Sequence, residues 1–325
     1  NAQYHVVSLY GKLSRIKTIN PEIEKELLSD VKPLFSEEVK SNTTFRKDEA
    51  QFIARQLIAE LYMKNKEYEK AELINPGHIK NYYSEIPTIQ NMINYYDNST
   101  KTDLEKVFLE NAFYTKGNYQ ELLAIRYAQK DELEKSLAVF KSIPEFSITL
   151  YGNPFTIHIN DCHDCDHEAP QKTKYTKTSF IEKMIEMKSI ALSKPNEAAQ
   201  NYFLVANGFY NMTYFGNARL FYDNRVDNSI YSYNHTLVPE EDNDLALKYY
   251  LLAREKSTDK EFKAKCTFMA AKCEQNNFFM NKPKNYKGDF KSGQYFAALK
   301  KEYSGTKYYS EIIKECNYFR TYLKQ

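Results

Sequence analysis

Apolar residues return at intervals of three and four along most of this chain, the period of an amphipathic helix. In "DEAQFIARQLIAELYMKNKEYEKAELI" they fall at Phe52, Ile53, Leu57, Ile58, Leu61 and Tyr62, one stripe, with Asp48 as the expected N-cap. "TKTDLEKVFLENAFYTKGNYQELLAIRYAQKDELEKSLAVFKSIP" predicts three helices, broken near Gly117 and Asp131 and stopped at Pro144. "TKTSFIEKMIEMKSIALS" is amphipathic up to the break at Pro195. "NEAAQNYFLVANGFYNMTYFGNARLFYDN", "NDLALKYYLLAREKS", "DKEFKAKCTFMAAKCEQNN", "SGQYFAALKKEYSG" and "TKYYSEIIKECNYFRTYLKQ" complete a helical second half. One stretch departs from this period. "FSITLYGNPFTIHIN", residues 146–160, alternates around Gly152 and Pro154 and predicts a small β-hairpin.

Composition sharpens this into an all-α fold. The 325 residues hold 9 Gly and 10 Pro, fewer turn residues than doubly wound or all-β chains use. The 28 Tyr and 20 Phe suit wide gaps between helices. Charge is balanced, with 45 basic and 43 acidic residues intermixed, so the basic stripe of a nucleic-acid binder is absent. No apolar run approaches the ~20 residues of a membrane span. The sequence opens at Asn1, from which a missing N-terminal part is expected.

Three stretches carry small and aromatic residues at fixed offsets. One reads Ile58, Ala59, Tyr62, Lys66, Tyr68, Ala71; a second reads Val205, Ala206, Phe209, Thr213, Phe215, Ala218, Tyr222. A third reads Leu109, Phe113, Gly117, Tyr119, Leu122, with Glu110 at the small position, and Ala246, Tyr250 and Ala253 match a second-helix half alone. This pattern resembles the tetratricopeptide repeat, in which alanines let paired helices approach and aromatics wedge between pairs. Spacing between the matches is irregular, because a Cys/His segment and an Asn/Asp/Tyr-rich loop at residues 223–244 intervene. The resemblance implies an irregular α-solenoid of antiparallel helix pairs that binds protein partners.

The densest chemistry is "HINDCHDCDHEAP", residues 158–170. Cys162 and Cys165 have the C-x2-C spacing that lets two thiolates reach one tetrahedral ion. His167 and His158 complete a structural zinc set, with His163 as substitute ligand. A Cys162–Cys165 disulfide is the alternative. The segment offers no C-x-x-C-H for haem and no glycine for a calcium loop, while a Cys/His catalytic dyad lacks a marked base. Cys266, Cys273 and Cys316 read as core cysteines, and His5, His78 and His235 stand alone.

"IHINDCHDCDH", "NGFYNMTYFGNARLFYDN", "ALKYYLLAREKSTDKEFKAKCTFMAAKCEQNNF" and "YFAALKKEYSGTKYYSEIIKECNYF" together resemble uncharacterised envelope lipoproteins of the Bacteroidota over about residues 145–325. That resemblance implies the periplasm or the outer membrane, with a cytoplasmic location as the alternative. Membrane association would come through a missing N-terminal anchor or a partner. The expected organisation is helical repeats over 1–145, a hairpin with the Cys/His knot over 146–175 and helical repeats over 176–325, read together as one continuous solenoid. The expected function is a non-enzymatic scaffold or adaptor for protein partners in an envelope complex, with no nucleic acid. The alternative is a metal-dependent hydrolase using the knot.

Overall fold

Helical periodicity becomes helix here wherever a cap or a turn residue ends the run. The computed structural model describes residues 1–36, 46–77, 79, 81–143, 148–159, 172–226, 242–281, 290 and 293–324. Of the described residues 72% are helical, and no strand forms among them. The chain divides into two compact units, Asn1–Leu122 with Arg225–Asp227, and Leu123–Asn224 with Asn228–Gln325.

In the first unit α1 (Ala2–Leu13), α2 (Pro21–Phe35), α3 (Lys47–Lys64), α4 (Tyr68–Ile74), α5 (Ile86–Asp97) and α6 (Asp103–Glu110) follow in order. Then α7 (Lys116–Gln129) carries the chain across the division. The second unit continues with α8 (Leu133–Ser142), α9 (Lys177–Ser193), α10 (Pro195–Asn211), α11 (Asp244–Lys256) and α12 (Lys260–Asn281). It ends with α13 (Gln294–Tyr303), α14 (Lys307–Glu315) and α15 (Asn317–Leu323).

The first unit closes on a buried charge network. Its α6 turns back onto α2 and α4. That brings Glu24 of α2, Tyr62 of α3, Lys70 of α4, Tyr95 of α5 and Glu105 of α6 together. Lys70 Nζ stands 3.3 Å from Glu24 and 3.4 Å from Glu105. Tyr62 Oη donates to Glu24 at 2.7 Å and Tyr95 Oη to Glu105 at 2.9 Å. Burial alone would depress the Lys70 pKa, but Glu67, Glu105 and Glu24 outweigh it and hold the ammonium above its ordinary value. Arg55 of α3 is buried nearby in the same unit, ringed by Phe35, Phe108 and Phe113.

In the second unit each helix from α8 to α12 packs on the next in sequence, and α14 packs back on α12. Its core runs from Phe140 through Phe180, Met184, Phe209 and Tyr250 to Phe268, Phe296 and Phe319. Cys266, Cys273 and Cys316 are buried in it, and burial pushes the Cys266 thiol up to about 12. Two carboxylates of α12 cap the helices that follow. Glu274 accepts from the backbone N–H of Gln294 and Tyr295, and Glu261 accepts from Lys307 at 2.8 Å and Tyr308 at 3.0 Å. These bonds from Tyr308 and Lys307 hold the Glu261 carboxyl below its ordinary 4.5. A depressed carboxyl contributes stability above its unfolded pKa and loses it as pH falls through the folded one. The Glu261 midpoint in a carbon-detected NMR titration is therefore expected below 4.5. Glu261→Gln should flatten the part of the acid unfolding curve that this carboxyl supplies.

The same helix-to-helix turn occurs twice. Lys66 and Asp131 both take φ +63°, a conformation most side chains avoid. In one turn Glu67 N–H donates to Tyr62 O at 3.0 Å; in the other Glu132 N–H donates to Tyr127 O at 2.9 Å. Asp131 is fixed further by Lys188 at 2.7 Å, Lys248 at 3.2 Å and the Tyr249 hydroxyl at 2.7 Å. Those contacts tie the turn to α9 and α11 and offset its backbone cost.

Several expectations change against this fold. Ile58, Ala59, Tyr62 and Ala71 are fully buried as the first repeat register requires, but Phe52 and Tyr68 are exposed. Asp48 sits inside the first turn of α3, whose N-cap is Arg46. In the second register Val205, Ala206 and Phe209 face the core from α10, but no second helix follows. Ala218 is buried in a turn before the short 3-10 segment Arg219–Phe221. The helix that packs on α10 is α11, through the buried Ala246, Tyr250 and Ala253. The third register fails because Gly117 and Tyr119 both lie inside α7 and Phe113 is exposed. The expected hairpin at 146–160 is not formed among its described residues. Thr149 instead makes an isolated antiparallel bridge with Thr176. Pro154 has no N–H to offer a partner strand, and the carbonyls around it are taken by helical side chains.

Candidate functional site

The segment that leads into the Cys/His cluster is held by side chains of two helices. Asn207 and Asn211 stand one turn apart on α10, so their amides point along the same face. Both are buried within an otherwise aromatic and aliphatic helix. Asn207 Nδ2 donates to Phe155 O at 2.7 Å, and its Oδ1 accepts from the Tyr250 hydroxyl at 2.8 Å. Asn211 Nδ2 donates to Pro154 O at 2.9 Å and Thr156 O at 2.6 Å. Its Oδ1 accepts from Asn217 N–H at 3.3 Å. A Cβ on Gly216 would stand 2.1 Å from Asn211 Cα, so glycine is required where the loop passes under this side chain.

Lys272 of α12 continues the row. Its buried ammonium donates to His158 O at 3.0 Å and Ile159 O at 3.3 Å, and lies 5.4 Å from the Tyr210 ring centroid. Asn276, one turn on, donates to the Tyr210 hydroxyl at 3.1 Å. Five donations thus read the backbone carbonyls of residues 154, 155, 156, 158 and 159. One side chain of the segment is anchored deeply. Phe155 meets Tyr175 at 5.3 Å and Phe180 at 5.4 Å between ring centroids.

The return of the chain is pinned as well. Leu150 N–H donates to Tyr175 O at 2.8 Å and Lys177 N–H to Ile148 O at 3.0 Å. Lys177 is fully buried, with its ammonium on Asp223 O. Ile159 and Tyr175, on either side of the Cys/His segment, are therefore both held, Ile159 by Lys272 of α12 and Tyr175 by Leu150 and Phe155.

Of the metal set expected from sequence, His158 is half-buried, and its carbonyl is the atom held by Lys272. Cys162, His163, Cys165 and His167 lie outside the described residues. Among the described residues no three His, Cys, Asp or Glu side chains gather as a possible metal-ligand group. His5 is satisfied by Asp30 at 3.2 Å, while His78 and His235 are also outside the described residues. Asn207, Asn211 and Lys272 were missed by motif reading. Their signal was polarity in the wrong place: two Asn four apart in "YFLVANGFYN", and one Lys inside "CTFMAAKC". No family model, curated protein or solved structure matches the chain. No described helix is long and apolar enough to cross a membrane.

Proposed function

We propose that this chain is a helical-repeat scaffold that docks a protein partner in a bacterial envelope complex, built as an irregular tetratricopeptide-like solenoid. The recurrence of one helical-hairpin turn, at Lys66 and at Asp131, supports the repeat reading. The two turns lie about two periods of a roughly 34-residue repeat apart. Docking is supported by α1, where Tyr4, Val7 and Tyr10 are 67%, 65% and 65% exposed on one stripe. Apolar side chains spaced this way along a helix face suit a partner protein better than water does. The envelope assignment rests on the resemblance of residues 145–325 to envelope lipoproteins.

The test is reciprocal affinity capture from gently solubilised native membranes. One envelope protein should be recovered in near-equal amount from either end. Replacing Tyr4, Val7 and Tyr10 by Ser should reduce that recovery at unchanged helix content. Recovery of the chain alone would count against the scaffold.

Within this reading the Cys/His segment is a structural cross-link, zinc held by Cys162, Cys165, His167 and His158 with His163 as substitute. Protein purified without chelator should carry about one zinc per chain, lost in Cys162→Ser together with thermal stability. A metal-free chain two daltons light and restored by reductant would replace zinc with the Cys162–Cys165 disulfide.

A further inference from the structure

We propose that side chains of α10 and α12 form a site that reads main-chain carbonyls, filled in cis by the Pro154–Phe155 turn and the residues up to Ile159, and that a peptide with the same turn and one aromatic anchor competes for it. The inference uses the hydrogen bonds of the second unit and does not depend on the scaffold reading or on the α1 face.

The row of donors reads main-chain atoms. Asn207, Asn211 and Lys272 satisfy the carbonyls of residues 154, 155, 156, 158 and 159. Such contacts touch no side chain of the segment, so a chain that makes the same turn can supply the carbonyls. Selectivity comes from Phe155, whose ring packs against Tyr175 and Phe180. Thr156, Ile157, His158 and Ile159 are half-buried and belong to no helix or strand.

The segment also carries a turn of its own. Its described internal bonds are the turn at Asn153, whose Oδ1 accepts from Phe155 N–H and whose carbonyl accepts from Thr156 N–H. The donors, by contrast, are fixed without it: Tyr250 holds Asn207, the Asn217 backbone holds Asn211, and the Tyr210 and Phe268 rings flank Lys272. A site preorganised on helices and filled by a segment outside them can exchange its occupant by local opening. The fitting partner is a peptide with an Asn-Pro turn, a Phe or Tyr anchor and β-branched residues after it.

The probe is a fluorescent peptide of residues 151–159, YGNPFTIHI. In a full chain whose residues 153–159 are replaced by a Gly/Ser linker of equal length, the peptide should bind saturably. Phe→Ala in the peptide, or Asn207→Ala with Asn211→Ala in the chain, should weaken binding at least about ten-fold, the scale of one or two lost buried contacts. No saturable binding to a linker chain of native helix content overturns the proposal, and so does binding indifferent to both changes. Should the linker chain not fold, the unmodified protein decides. Amide exchange at Phe155 and Thr156 should be faster than in α10 and should rise further with excess peptide. Exchange in step with α10 and unmoved by peptide would identify a permanent staple and overturn the proposal.

Discussion

Lys70→Met is expected to destabilise the first unit by about 3–5 kcal/mol, the range for breaking a buried ionic network by removing one partner. The ammonium is the cation shared by Glu24 and Glu105, both carboxylates nearly inaccessible to water. Without it the two charges face one another across α2 and α6, Glu24 with the Tyr62 hydroxyl and Glu105 with the Tyr95 hydroxyl and the Thr102 N–H for compensation. The second oxygen of Glu24 is already buried without a hydrogen-bond partner, so it has no spare donor to fall back on. Glu24→Gln in the Lys70→Met background removes one of the two orphaned charges and should recover part of the deficit. Urea unfolding of both variants measures this. A deficit under about 1 kcal/mol would mean a solvent-screened pair.

That network explains what sequence reading could and could not reach. Helix ends were legible because their causes are local: Pro195 opens α10 and Asp131 breaks α7 from α8. Buried alanines at 59, 71, 206, 246 and 253 were legible because a small residue on an apolar stripe has few other uses. The repeat partners were less so. Helical propensity carried "MTYFGNARLFYDN" as helix, yet Gly216 and Asn217 are drawn under Asn211, and the partner of α10 arrives only at Asp244. The hairpin failed for a related reason. Alternation at 146–160 records two-sided contact, and that contact is with the side chains of α10 and α12 rather than with a second strand. Lys70, Glu24 and Glu105 come from three helices, so composition averages them into a balanced charge. The Cys/His chemistry was the loudest feature of the sequence. The structure supplies the platform on either side of it.

Arg55→Ala is expected to cost on the order of 3–5 kcal/mol, because two carbonyls are left without donors at roughly 1–3 kcal/mol each and a cavity opens beside three phenyl rings. Arg55 Nη1 donates to Ile74 O, the last residue of α4, and Nη2 to Asn111 O, the C-cap of α6. Helix C-termini carry partial negative charge, so one guanidinium serves two of them without a carboxylate. The Phe113, Phe35 and Phe108 centroids lie 4.5, 5.0 and 5.5 Å from its central carbon. Burial lowers the Arg55 pKa to about 10, still well above neutrality, so the group stays charged where the rings attract it. The planar fork matters as much as the charge. A lysine places one tetrahedral ammonium where two divergent donors are needed, so Arg55→Lys should recover less than half of the loss. Thermal and urea unfolding of Arg55→Ala, Arg55→Lys and Arg55→Met check this. If methionine, which fills the space but donates nothing, matches the parent within about 1 kcal/mol, then packing and not the carbonyl contacts holds α4 to α6.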